Sequence, residues 1–128
     1  MFLRLAEQAE PQLKGREQVA WLERLETEHD NLRAAMTWLL ERGEIETVVR
    51  FAWALWFFWY LRGHQREGYR YTSEALEKGG SLPTIMRAKA ICVRAIMSYG
   101  LDSFERTMRL FEESAALFRQ AGTDPAWQ

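Results

Sequence analysis

At 128 residues, with 17 basic and 18 acidic side chains and a net charge of −1, the chain offers one domain's worth of core and no global attraction to nucleic acid or anionic lipid. Its one cysteine, Cys92, excludes an internal disulfide and a multi-cysteine zinc site, and fits a reducing compartment such as the cytoplasm. Three prolines and eight glycines punctuate a sequence free of low-complexity segments, which reads as helical throughout.

In chain order, Phe2 to Ala9 forms a short helix with Phe2, Leu5 and Ala9 on one side, ending before Pro11 because the residue preceding proline avoids helical backbone angles. The acidic Glu7 and Glu10, without an apolar core of signal-peptide length, argue against an export signal. From Arg16 to Arg42 apolar residues recur at helical spacing as Val19, Leu22, Leu25, Leu32, Met36 and Leu39, with Trp21 and Trp38 beside them. Glu28-His29-Asp30 interrupts the pattern, which allows one bent helix or two with Asp30 capping the second; a break is preferred. Gly43 ends the segment as a left-handed cap, with Arg42 in the last turn where the helix dipole favours a cation.

The stretch Phe51 to Leu61, FAWALWFFWYL, carries seven aromatic rings in eleven residues and no charged side chain. Stepping 100° per residue places Phe51, Leu55 and Phe58 on one face, Ala52, Trp56 and Trp59 on a second, and Trp53, Phe57 and Tyr60 on a third, so a helix here needs neighbours all round. Eleven helical residues rise only about 16 Å against a hydrocarbon core of about 30 Å, which rules out a membrane span. Flanked by Glu44 and Glu46 on one side and Gly63 on the other, the run is the body of a central helix from about residue 45 to 61.

His64 to Lys78 is amphipathic, turning Tyr69, Thr72, Ala75 and Leu76 towards a partner until Gly79-Gly80 stops it. Pro83 after Ser81 opens a helix that carries Ile85, Ala88, Ile91, Cys92, Ala95 and Ile96, and Gly100 breaks it. Asp102 with Glu105 three residues on has the form of a capping box for a last helix bearing Met108, Phe111, Ala115 and Phe118 as far as Gly122. Asp124-Pro125-Ala126-Trp127 reads as the start of a further helix at which the chain is cut. The turns at Gly63 and Gly100 lie 37 residues apart. Helix pairs joined by short glycine turns at that spacing suit tetratricopeptide-like stacking, in which each pair buries its face against the next. The expected fold is all-α, a right-handed solenoid fragment of antiparallel helix pairs: residues 1–43 precede the repeats, 44–80 and 81–122 are the two pairs, and 123–128 begin another.

The segment from Trp21-Leu22-Glu23-Arg24-Leu25 through Asn31-Leu32-Arg33-Ala34-Ala35-Met36, with Trp38 and Gly43 after it, resembles the start of the helical-repeat region in large bacterial transcriptional regulators. The likeness continues through Arg62-Gly63-His64, Glu67-Gly68 and Glu112-Glu113-Ser114-Ala115-Ala116-Leu117-Phe118-Arg119. Such regulators join a signal-transduction ATPase module to helical repeats and a DNA-binding domain of LuxR or related type. The resemblance implies a cytoplasmic interaction or sensing segment that contacts the ATPase module, further repeats or an effector. This chain has no GxxxxGK[ST] phosphate loop and no recognition helix rich in Arg and Lys, so it is expected to be an excised piece with neither ATP binding nor direct nucleic-acid binding of its own, and no membrane association.

No catalytic, cofactor or metal set assembles from the sequence. His29 and Asp30 are adjacent in a helix and point about 100° apart, so they make no dyad. The two histidines and Cys92 are far apart in the chain. Cys92 among Ile91, Val93 and Ile96 reads as a buried, unreactive thiol. Two candidate surfaces stand against plainer readings. Trp53, Trp56, Phe57, Trp59 and Tyr60 are either inter-helix core or a patch that takes an apolar group or a peptide helix. Arg62, Arg66 and Arg70, four residues apart, are either a basic ridge or a solvated face, with Glu67 and Glu74 interrupting them. The expected function is non-enzymatic interaction and sensing; a small apolar-effector site is the alternative, and homodimers through surfaces bared by the cut are allowed.

Overall fold

Four helix boundaries are set by backbone chemistry readable residue by residue. In the computed structural model, which describes residues 2–122, the chain forms α1 (Phe2–Ala9), a 3₁₀ turn (Glu10–Lys14), α2 (Gln18–Thr27), α3 (His29–Arg42), α4 (Ile45–Arg62), α5 (Gln65–Lys78), α6 (Thr84–Ser98) and α7 (Phe104–Gln120). No strand occurs among the described residues, and the molecule is all-α there. Residues 123–128, read above as the start of another repeat, lie outside the described residues.

Gly43 and Gly63 adopt φ of 75° and 78°, the left-handed region that suits glycine, and each closes its helix by a wrapped-back hydrogen bond. The Glu44 amide donates to Leu39 O at 3.0 Å, and the His64 amide donates to Trp59 O at 2.8 Å. The expected break near residue 30 exists but is centred on Glu28, whose φ of −91° and ψ of 5° end α2 and begin α3. Asp30 does not cap: it sits in the first turn of α3, where its charge favours the helix dipole. The α7 cap also differs from expectation. Ser103 is the N-cap and accepts from the Arg106 amide at 3.2 Å, while Asp102 accepts from the Ser103 amide at 2.8 Å.

The core is organised around α4, which packs against α1, α3, α5 and α6. Phe51, Leu55 and Phe58 are fully buried, and so are Ala52, Ala54 and Trp59 on the other faces. A two-pronged ion pair from Arg50 to Glu7, 2.9 and 3.1 Å, ties α4 to α1. Beyond α4, α5 packs on α6 and α6 on α7. The α6–α7 seam is partly polar: Ser98 and Thr107 share a 2.8 Å hydroxyl contact, and Ser114 donates to Ala88 O at 2.9 Å. Thr107 and Ser114 therefore occupy the buried stripe of α7 with Phe118, whereas Met108 is exposed and Phe111 half-buried. Val19 is likewise exposed, outside the stripe expected for it.

Candidate functional site: an aromatic groove and a histidine pair

Two places collect chemistry. The first is a groove of about 660 Å³ between α4, α6 and α7. Trp53 and Trp56 line it from α4, Cys92 and Ile96 from α6, Phe111 and Phe118 from α7, with Glu10 and Lys14 of the 3₁₀ turn at its rim. The α4 turn that buries Phe51 and Leu55 in the core leaves Trp53 and Trp56 on the side facing α7, which is why two tryptophans stay half-buried. Trp53 meets Phe118 at 6.3 Å between ring centres, and Phe57 tilts against Trp56 at 5.2 Å. Ammonium groups sit over both indoles: Lys89 Nζ is 5.2 Å from the Trp53 ring and Lys14 Nζ 5.9 Å from the Trp56 ring, a cation–π arrangement. Burial pushes the Glu10 carboxyl above the ordinary carboxylate value, opposed by Lys14 and Lys89 and reinforced by Glu7. Burial also pushes the Cys92 thiol up, opposed in part by a hydrogen bond with Ser114.

The aromatic patch read from the sequence is thereby divided. Trp53 and Trp56 reach the groove; Phe57 supports Trp56; Tyr60 is exposed. Trp59 is core, 1 % exposed and packed on Tyr71 at 6.1 Å, and presents nothing to a ligand. The basic ridge is broken too: Arg62 ends α4, Gly63 turns the chain, and only Arg66 and Arg70 share α5. All three are exposed, and Arg70 lies over the Tyr71 ring at 5.0 Å.

The second place was invisible in the sequence. The α2–α3 break and the Gly63 turn bring His29 and His64 together with ring centres 4.0 Å apart and planes 19° apart, both against Phe58. His29 Nε2 is 3.0 Å from Glu67 Oε2, and His64 Nε2 is 3.2 and 3.3 Å from the two oxygens of Glu26. The other oxygen of Glu67 faces Arg33 Nε at 3.6 Å. The i, i+3 spacing of His64 and Glu67 is the one local signal available beforehand.

Comparison with known proteins finds similarity to transcriptional regulators. A protein of Mycobacterium bovis and one of Mycobacterium tuberculosis, each named "Putative HTH-type transcriptional regulator", are 38% identical to this chain over 79 residues, covering 59% of it and 9% of each relative. The similarity supports a transcriptional-regulator family, and the matched region spans about 9% of the length of these curated relatives. No family model matches the chain, and no solved structure matches it significantly. These names correct one expectation, the exclusion of direct nucleic-acid binding: the relatives are named for a helix-turn-helix, an element that docks on DNA. The exclusion rested on a net charge of −1 and on the lack of a recognition helix rich in Arg and Lys within these 128 residues, and neither bears on the parts of the relatives outside the matched region. Among the described residues no helix is long and apolar enough to cross a membrane.

Proposed function

We propose that the chain is a non-catalytic helical-repeat segment for protein interaction and signal sensing within a multidomain, ATP-dependent transcriptional regulator of the LuxR-related kind, working in the cytoplasm and needing no catalytic cofactor of its own. The observation that carries this reading is the serial packing of α4 on α5, α5 on α6 and α6 on α7, with two tryptophans of the most aromatic helix left at an open groove. Packing of each helix on its sequence neighbours is the habit of tetratricopeptide-like stacks of antiparallel pairs, whose role is to present a surface. Similarity to regulators supplies the context. The test is capture of the remainder of the parent regulator by this chain, compared with a Trp53→Ala, Trp56→Ala double variant. These indoles are half-buried, so the variant keeps the core that Trp59 anchors. Affinity should fall at least tenfold; absence of any complex with the wild-type chain would overturn the reading.

The groove also favours a second reading, an apolar-effector site. Its roughly 660 Å³ falls within the 300–1,000 Å³ typical of small-molecule pockets, and its walls are mainly aromatic and aliphatic.

A further inference from the structure

We propose that His29, His64 and Glu67 form a binding site for one divalent transition-metal ion of the zinc class, with Glu26 holding the His64 ring from outside. The donor atoms of His29, His64 and Glu67 lie within 4.8 Å of one another. His29 comes from the first turn of α3, and His64 and Glu67 from the cap and first turn of α5; Glu26, on the last turn of α2, stands beside His64.

The decisive feature is how His29 and Glu67 meet. Their facing atoms are 3.0 Å apart, a hydrogen-bond distance, yet His29 Nε2 and Glu67 Oε2 are both buried with no hydrogen bond, and so is His29 Nδ1. Buried ligand-type atoms left in that condition call for an explanation, since such groups nearly always find a partner. A shared ion supplies one. In a tetrahedral site with bonds of 2.0–2.1 Å, neighbouring donors stand about 3.3 Å apart with their lone pairs aimed at the metal instead of at each other. The 3.0 Å contact between His29 and Glu67 comes close to that edge length, and the hydrogen bonds from His64 to Glu26 at 3.2 and 3.3 Å hold the second ring beside it.

Chemistry and surroundings agree. Imidazole and carboxylate without thiolate is a donor set for zinc and its neighbours, not for calcium, which takes oxygen alone. Arg33 holds the second oxygen of Glu67, the sort of outer contact that orients a ligand. Phe58 walls the rings on one side and His29 is only 8 % exposed, so water competes weakly there. Binding requires the two imidazoles, stacked at 4.0 Å and 19° from parallel, to unstack so that both ring planes pass through one centre. The ion would then pin the α2–α3 break to the α4–α5 turn, joining the N-terminal helices to the first helix pair. This inference is independent of the regulator reading.

The test is titration of the full chain, freed of metal by chelator and dialysis, with Zn²⁺ followed by calorimetry, and with Co²⁺ followed by visible absorption. One equivalent should bind, with the intense d–d bands of a four-coordinate site, and Mg²⁺ should not compete. His29→Gln and Glu67→Gln, near in size to the native residues, should each weaken binding at least tenfold while circular dichroism shows a folded chain. Glu26→Gln should weaken it by a smaller factor. Absence of saturable binding near one equivalent, or binding unchanged in both His29→Gln and Glu67→Gln, would overturn the proposal.

Discussion

Cys92 is the residue through which the groove can be watched. Burial pushes its thiol up, so little of it is the reactive thiolate at neutral pH, and Ser114 offsets that only in part. Alkylation by iodoacetamide at pH 8 should be at least tenfold slower in the folded chain than in urea, and slower again when an apolar effector fills the groove. Labelling as fast in the folded state as in urea would show that the thiol stands free of the α4–α6–α7 packing. The linkage sign follows from the same shift. A thiol whose folded value is raised keeps its proton to higher pH than the unfolded chain does, so the folded state binds more protons and stability declines as pH rises past the ordinary thiol range. The sequence reads Cys92 as buried among Ile91, Val93 and Ile96; it is half-buried instead, because its side of α6 faces the groove. Nor could the sequence announce Trp53 and Trp56 as groove residues and Trp59 as core. All three lie on an all-apolar helix, and only the arrival of α5 and α7 from elsewhere in the chain separates them.

Among the elements, α5 is pressed against its neighbours most closely at Gly68. A Cβ built there would stand 2.6 Å from Met97 Sδ of α6 and 2.7 Å from Trp59 Cε3 of α4, so three helices converge on a missing side chain. Gly68→Ala gains about 1 kcal/mol of helix propensity. It also forces a methyl into a packed site, at a cost of about 1–3 kcal/mol. The methionine can swing aside but the buried indole cannot, which puts the cost in the upper part of that range, about 2–3 kcal/mol, and leaves a net loss of about 1–2 kcal/mol, read as a lowered urea midpoint with the slope unchanged. A stabilised variant would mean that the helices separate freely at this point. Helix ends were legible wherever glycine took the left-handed turn, as at Gly43 and Gly63, because that signal is local. The α7 cap slipped by one residue because Asp102 and Ser103 are both good capping side chains, and Asp102 is engaged by the Ser103 amide. The α7 stripe was misread for a different reason: Thr107 and Ser114 look like surface residues until α6 supplies Ser98 and Ala88 O as partners.

At the scale of the molecule, the all-round apolarity of FAWALWFFWYL foretold the central position of α4, since a helix apolar on every side needs packing on every side. The histidine pair was beyond reach. Positions 29 and 64 meet only because two separate chain reversals face each other, and nothing in residue spacing encodes that. The same arrangement implies an uneven stability. Opening α4 would expose its contacts with α1, α3, α5 and α6 together, whereas α7 packs mainly on α6 along a close but partly polar seam, meets α4 through Phe118 and Trp53, and leaves Phe104 and Met108 in solvent. Opening α7 therefore gives up one close seam, where opening α4 gives up four, and a serially packed molecule should fray at α7 before it unfolds as a whole. In native-state hydrogen exchange, the amides from Val48 to Trp59 should exchange only through global unfolding. Those in the middle of α7 should exchange at least tenfold faster, an opening cheaper by about 1.4 kcal/mol. Equal protection in the two helices would mean instead that the α6–α7 seam is as cooperative as the core around α4, and that the molecule unfolds as one unit.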